Sequence, residues 1–307
     1  MKRRVFVAMT GALAVVLAGC GGGGDSAVPP AGGGGATSPD LFADAPKAPA
    51  DAILPGSTME KIKQRGKLVV AEALDAPLLS QQNPSNPDEV TGFDADLAKL
   101  LAVYILGKPE VEIVPPATET REALLANGTV DVVFNTYTIT EERAQQVAFA
   151  GPYFESGLAV AVKSDNSDIK GIDDLAGKTV IVGANTPAVT AVPEKVPSAN
   201  VVQFGTDPQA VTALLQGRGD AYVQDLTLLA SNAKANPKLK VVGNPFTTEP
   251  YGIGLKHGDD DFKEFVNDWL EKIQDGGQWA TVWENSLGTV VDAEAPEPPA
   301  IGSVPGS

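Results

Sequence analysis

The sequence predicts an α/β protein with room for two domains, and three observations carry that expectation. The chain has 307 residues, 43% of them hydrophobic, enough to bury a sizeable core. Between Ser57 and about Gly288, short β-branched runs alternate with stretches of helical periodicity. That β-α-β rhythm runs through twice, without a sequence repeat, so each set can build its own sheet.

The elements follow in order. Residues 57–66 (STMEKIKQRG) read as a short helix with caps offered by Ser57 and Thr58 and a stop at Gly66, before the strand KLVVAEA. FDADLAKLLAVYILG places Leu97, Leu100, Leu101, Tyr104 and Ile105 on one helical face and stops at Gly107. Strand VEIVPPA, helix TETREALLANG and strand VDVVFNTY complete the first set. The second set comprises KTVIVGANT, VVQFG, the helix DPQAVTALLQGRG, the strand DAYVQ, the helix LTLLASNAKANP and the strand LKVVG. One more strand, YGIGLKHG, precedes the amphipathic helices DDFKEFVNDWLEKIQDGG and QWATVWENSLG, where Trp269, Trp279 and Trp283 read as core residues.

The ends differ in kind. MKRRVFVAMTGALAVVLAGC has a basic start and an apolar run from Val5 to Leu17, too short to span a bilayer, so residues 1–19 read as a signal peptide and the mature protein as exported. LAGC resembles the bacterial lipoprotein box, which makes Cys20 a lipidated N-terminus. As the single cysteine it excludes disulfides and cysteine metal clusters. Residues 20–56, rich in Gly, Pro and Ala, read as a lipidated cysteine and flexible linker, and residues 289–307 as a disordered tail. The formal charge of −16 opposes nucleic-acid binding.

TYTITEERAQQVAFAGPYF (Thr136–Phe154) reads as a strand end, a turn and a helix start. Thr140 can cap a helix whose first turn holds Glu141, Glu142 and Arg143. Free N–H groups at such a start attract an anion, and an arginine adds a bidentate grip on a carboxylate. Taken alone, Arg143 reads first as a surface arginine paired with Glu141 or Glu142. Asp225, between a strand and a helix, can cap the helix or reach a ligand cation. His257, the single histidine, sits at a turn and reads as solvent-facing. Asp259, Asp260 and Asp261 lack calcium-loop spacing and read as acids at a helix start, so neither metal nor cofactor is expected.

Several segments, in order along about Lys67–Gly288, resemble the extracytoplasmic solute-binding proteins of polar amino-acid ABC transporters, the extracellular solute-binding family 3. GFDADLAKLLA is similar to the family's G-F-D-x-D-[LI]-A motif. TYTITEERAQQVAFAGPYF is similar to its T-x-[TS]-I-T-x-x-R-x-x-x-V-x-F-[SA]-x-P-Y segment, and residues 251–288 to its closing strand and paired helices. DAPLL (Asp75–Leu79) resembles a degraded D-Q-P-G-L of glutamate and glutamine binders.

The resemblance implies a two-lobed type II periplasmic-binding-protein (Venus flytrap) fold, α/β, with two crossing strands near 155–160 and 244–251. Lobe 1 would hold 57–156 plus 250–288, and lobe 2 would hold 157–249. It assigns Arg143 to the α-carboxylate of a bound amino acid, Thr136 and Thr138 to its support, Asp225 to the α-ammonium, and Thr186 and Asp75 to the same cleft. Pro187 departs from the pattern and takes away an N–H donor, so Thr186 is retained and Asn185 is not. The implied protein is a monomer on the outer face of the membrane, without chemistry of its own, passing a polar L-amino acid to an ABC permease. Glutamine-like, glutamate-like and other polar side chains stay open, since acidic-ligand members carry a basic residue where this chain has Ala73. Two alternatives stay open as well: an amino-acid sensor for a membrane signalling partner, and an enzyme like the cyclohexadienyl dehydratases of the same fold.

Overall fold

The computed structural model describes residues 39–290 and 294–307. The leader at 1–19, Cys20 and the first half of the linker lie outside the described residues. Along the chain, α1 (Pro39–Ala43) and α2 (Thr58–Arg65) precede β1 (Leu68–Ala71). A small antiparallel sheet of β2 (Asp75–Ala76), β3 (Ser80–Asn83) and β4 (Asn86–Thr91) leads into α3 (Phe93–Leu106). Then come β5 (Val111–Val114), α4 (Arg121–Ala126), β6 (Val132–Val133), the one-turn α5 (Glu141–Ala144), β7 (Val147–Ser156) and β8 (Leu158–Lys163). The second half contains β9 (Thr179–Gly183), α6 (Ala188–Lys195), β10 (Asn200–Phe204), α7 (Asp207–Leu215), β11 (Ala221–Asp225), α8 (Leu226–Ala235) and β12 (Leu239–Val242). It ends with β13 (Glu249–Lys256), α9 (Asp260–Asp275) and α10 (Gln278–Asn285).

Two five-stranded sheets form, ordered β5-β1-β6-β13-β7 and β10-β9-β11-β8-β12. In each, the first three strands are parallel and the fourth runs antiparallel to both neighbours. That fourth strand is the one arriving from the other lobe. β8 follows β7 through Gly157, and β13 follows β12, so the chain crosses twice. The crossings lie side by side: the Leu158 N–H donates to Thr247 Oγ1 (2.8 Å) and the Phe246 N–H to the Leu158 carbonyl (2.9 Å). A Cβ at Gly157 would come within 2.9 Å of Pro245 Cβ, so only glycine lets the strands pass this closely.

Lobe 1 is packed around aromatic rings. Phe93, Phe134, Tyr153, Trp269 and Trp279 are all buried, and Trp279 Nε1–H donates to the Tyr153 carbonyl (2.9 Å). Trp283 is buried too, as expected for all three tryptophans. The core of lobe 2 is chiefly aliphatic, with Val160, Val162, Val180, Val182 and Val223 contributed by its sheet.

Three expectations are corrected. The flexible linker extends to residue 56 in the sequence reading, yet α1 and the following turn pack on lobe 1. Leu41 and Ala45 enter the core, and the Ala48 N–H donates to the Tyr104 carbonyl (2.9 Å). The tail read as disordered also docks there. Ala295 and Ile301 pack on the main core, Val304 packs beside Leu125 and Phe149, and the Gly302 N–H donates to the Gly151 carbonyl (2.9 Å). In both segments a few apolar side chains outweigh a composition that, averaged over the stretch, reads as unstructured. Finally, VDVVFNTY keeps only two residues of strand, because the backbone leaves the sheet at Phe134 and turns toward the cleft.

Candidate functional site

A cavity of about 400 Å³ lies between the lobes, and Arg143, Thr136, Thr138, Asp75, Thr186 and Asp225 all line it. Lobe 1 holds its wall rigidly. The α3 start is capped from the DAPLL loop: Leu78 and Leu79 carbonyls accept the N–H groups of Phe93 (2.8 Å) and Asp94 (2.9 Å). A Cβ at Gly92 would fall 2.5 Å from the Leu79 carbonyl, which is why the motif's glycine precedes its Phe-Asp. Leu78 occupies the glycine position of D-Q-P-G-L and still adopts a left-handed φ of 61°. Thr136 (φ 43°) and Asn185 (φ 55°) are the other non-glycine residues with positive φ among the described residues; Thr136 lines the cavity and Asn185 meets both arginines across the cleft, where strain is tolerated for placement.

Arg143 is buried, not a surface arginine. Thr140 Oγ1 accepts its N–H (3.2 Å), capping α5 as the sequence suggested. Its guanidinium donates to the Thr138 carbonyl (2.7 Å) and, across the cleft, to the Asn185 carbonyl (2.6 Å), and Nε lies 3.6 Å from Glu122 Oε1. Glu141 and Glu142 are not its partners. A second arginine, Arg121, was not foreseen. It is buried, lines the same cavity, and donates to the Thr118 (3.0 Å), Asn135 (3.2 Å) and Asn185 (3.4 Å) carbonyls. Both guanidiniums lie over the Tyr137 ring, at 4.4 Å for Arg121 and 4.8 Å for Arg143. Burial, then repulsion from Arg143, lowers the Arg121 pKa to about 10, and burial lowers that of Arg143; both stay charged at neutral pH. Two adjacent buried cations with unused N–H donors make an anion site.

Lobe 2 answers with a carboxylate. Asp225 Oδ1 caps α8, accepting from the Thr227 N–H (3.0 Å) and Oγ1 (2.8 Å), and takes Ser156 Oγ–H (2.6 Å) from the crossing strand. Oδ2 is buried without a hydrogen-bond partner among the described residues. Capping and ligand reach are thus compatible, one oxygen for each. Burial raises the Asp225 pKa, so a cation arriving at Oδ2 would be bound with gain.

The remaining foreseen residues play smaller parts. Thr138 supplies a carbonyl to Arg143, and the Thr136 N–H donates to Asp94 Oδ2 (2.9 Å). Thr186 Oγ1–H donates to the Gly183 carbonyl (2.8 Å), which shapes its loop. Asp75 faces the cavity from β2. Asn185, which the sequence reading set aside, is the cross-lobe latch. Its carbonyl takes both guanidiniums and its Nδ2 donates to Glu122 Oε2 (3.2 Å). Asp94 and Asp207, also missed, line the cavity, Asp94 fully buried and Asp207 partly so. A signal existed for Arg121, one turn before Leu125 on the buried face of α4.

Residues 68–289 match the family model "Bacterial extracellular solute-binding proteins, family 3". The chain is 35% identical over 229 residues to the ABC transporter glutamine-binding protein GlnH of Bacillus subtilis, covering 74% of this chain and 83% of that protein. It is 31% identical over 238 residues to the glutamate-binding protein GluB of Corynebacterium glutamicum, covering 73% and 80%. Among solved structures, an ancestral arginine-binding protein bound to glutamine matches with a TM-score of 0.68 and 35% identity, over 73% of this chain and 99% of that one. The ancestral amino-acid-binding protein AncCDT-1, a precursor of cyclohexadienyl dehydratase, matches with a TM-score of 0.68 and 33% identity, over 75% and 99%. With the α/β fold, the two crossing strands and the interlobe cavity all in agreement, the chain belongs to the bacterial extracellular solute-binding proteins, family 3, which implies an extracytoplasmic location.

Proposed function

We propose that the protein captures a polar L-amino acid between its lobes and delivers it to an ABC permease, with no chemistry of its own. One observation carries the reading: a pair of buried guanidiniums, Arg121 and Arg143, shares a cavity with Asp225 on the other lobe, a buried carboxylate whose Oδ2 has no hydrogen-bond partner among the described residues. A zwitterion satisfies both at once, and only a closed cleft lets it do so. The names of the relatives, glutamine- and glutamate-binding proteins, support the same ligand class. The monomer is expected to be held to the outer face of the membrane by lipid on Cys20, checked by the mass of the mature N-terminus.

Removing one partner of a buried ion pair costs about 3–5 kcal/mol, and a decade of affinity is about 1.4 kcal/mol. Arg143→Ala should therefore weaken amino-acid binding by two to three decades in titration calorimetry. A loss below tenfold would remove Arg143 from the ligand. The likeness to a dehydratase precursor favours a second reading, tested by turnover of prephenate or arogenate. A sensor role is separated from transport by whether a signalling protein or a permease co-purifies.

A further inference from the structure

The cavity wall carries more negative than positive charge. Two guanidiniums, Arg121 and Arg143, line it with four carboxylates, Asp75, Asp94, Asp207 and Asp225. A zwitterion uses the guanidiniums and Asp225. Asp94 is committed to lobe 1, accepting from Tyr153 Oη–H (2.7 Å) and from the Thr136 N–H (2.9 Å). That leaves Asp75 on lobe 1 and Asp207 on lobe 2.

These two are prepared differently for a third partner. Asp207, the first residue of α7, is fixed by Tyr222 Oη–H on Oδ1 (2.8 Å) and Asn232 Nδ2–H on Oδ2 (2.8 Å). Each oxygen accepts one bond, and a carboxylate has about four lone-pair sites, so it retains acceptor capacity. Asp75 is solvent-exposed where it lines the cavity, and its carboxylate accepts from no other residue's donor among the described residues. The two line one cavity from opposite lobes, and burial pushes Asp207 up to about 6, with the Asp75 charge adding a smaller push in the same direction. Neither carboxylate has an ion-pair partner among the described residues: the two cavity arginines donate to the Thr118, Asn135, Thr138 and Asn185 carbonyls, and Ala73 brings no charge to the wall. An acidic ligand side chain would meet two carboxylates of its own sign.

Resting on the amino-acid reading above, we propose that Asp75 and Asp207 form a clamp, one carboxylate from each lobe, that selects an L-amino acid whose side chain ends in a guanidinium or ammonium group and rejects acidic ones. A zwitterion with a neutral side chain leaves the charge imbalance of the wall as it is. A cationic side chain halves it, and gives closure a second cross-lobe contact beside the one made by the α-carboxylate and α-ammonium. An amide such as that of glutamine can donate to either carboxylate without neutralising it, and so falls between.

The test is calorimetric titration of the purified protein at pH 7.5 with L-arginine, L-lysine, L-ornithine, L-glutamine and L-glutamate. The best cationic amino acid should bind at least tenfold tighter than glutamine and at least 100-fold tighter than glutamate. Asp207→Asn and Asp75→Asn, each checked for an unchanged fold by circular dichroism, should each reduce the cation-to-glutamine affinity ratio by at least threefold, and the double variant by at least tenfold. Glutamate or glutamine binding as tightly as the best cation, or a ratio that the double variant does not move, overturns the clamp and leaves the amino-acid reading standing. Binding of none of the five overturns both.

Discussion

The two lobes share a strand order and differ in almost everything else that matters for binding. Lobe 1 holds all three tryptophans, receives the segment from α1 to Ala48 and the C-terminal tail, and supplies the cations, Arg121 and Arg143. Lobe 2 has a core of Val, Ile, Leu and Ala with the single buried ring of Tyr222, and supplies Asp207, Asp225 and the Asn185 carbonyl. The proposed grip on a ligand's α-carboxylate is thus built on the more heavily packed lobe, and that on its α-ammonium on the leaner one. Neither lobe alone offers both. A ligand that bridges them adds to the stability of the leaner lobe what its own core lacks.

The largest effect that would break this comparison lies in the cores. Trp269 is fully buried against Phe134, with ring centroids 6.4 Å apart. Trp269→Ala should cost about 3–5 kcal/mol in denaturant unfolding, by lost transfer energy plus a cavity. Val182→Ala, equally buried in lobe 2, removes far less volume and should cost about 1–2 kcal/mol. Equal losses would mean that the packing contrast has no energetic counterpart.

Acidity gives the next largest effect, and it tests both lobes at once. Burial raises Asp94 in lobe 1 and Asp207 in lobe 2 to about 6, from 3.8. Asp94 faces Tyr153 and feels Asp225; Asp207 faces Tyr222 and Asn232 and feels Asp75. Buried Glu72 is raised well above its ordinary range as well. A folded-state pKa above the unfolded one means that the native state binds more protons, so the stabilisation is full below about 3.8 and is lost as pH rises through about 6. At about 1.4 kcal/mol per unit, Asp94 and Asp207 each contribute about 2–3 kcal/mol. The ligand-free protein should therefore melt higher at pH 5 than at pH 7.5, and Asp207→Asn should flatten the difference. A midpoint that falls on acidification would show that neither carboxylate is desolvated as its surroundings suggest.

How much of this was legible in the sequence depended on distance along the chain. Arg143 could be found because its cap, its helix start and its motif are local, all within residues 136–154. Asp225 could be found at a strand-to-helix junction for the same reason. Asp94 and Asp207 could not, and Arg121 only through its helical spacing from Leu125, because an arginine or an acid in a first helical turn is ordinary, and their shared cavity exists only once separate elements converge. Asn185 was hidden differently, since it acts through its main-chain carbonyl, which no residue type announces. The alternation of strands and helices was plain, but short strands such as β6 end where the cleft begins, and periodicity does not register that.

The chain ends give the smallest effect and the finest test of the lobe contrast. The tail from Glu294 crosses lobe 1 to the turn that carries Arg143: Gly302 bonds Gly151, and at Gly306 an added Cβ would stand 2.9 Å from Ala144 Cβ and 3.3 Å from Ile139 Cγ2. On the other lobe, α8 meets the turn at Leu287–Val290 that precedes the tail. Deleting residues 294–307 uncovers apolar surface beside Ile301 and Val304, which should cost about 1–2 kcal/mol. It should also loosen residues 140–146, speeding their amide exchange and weakening amino-acid binding severalfold, while amides of 226–235 keep their protection. If the midpoint falls but affinity and exchange at 140–146 hold, the tail merely covers lobe 1. If all three move together, the support of the arginine grip extends to the last residues of the chain, and the difference between the lobes is one of bracing as much as of charge.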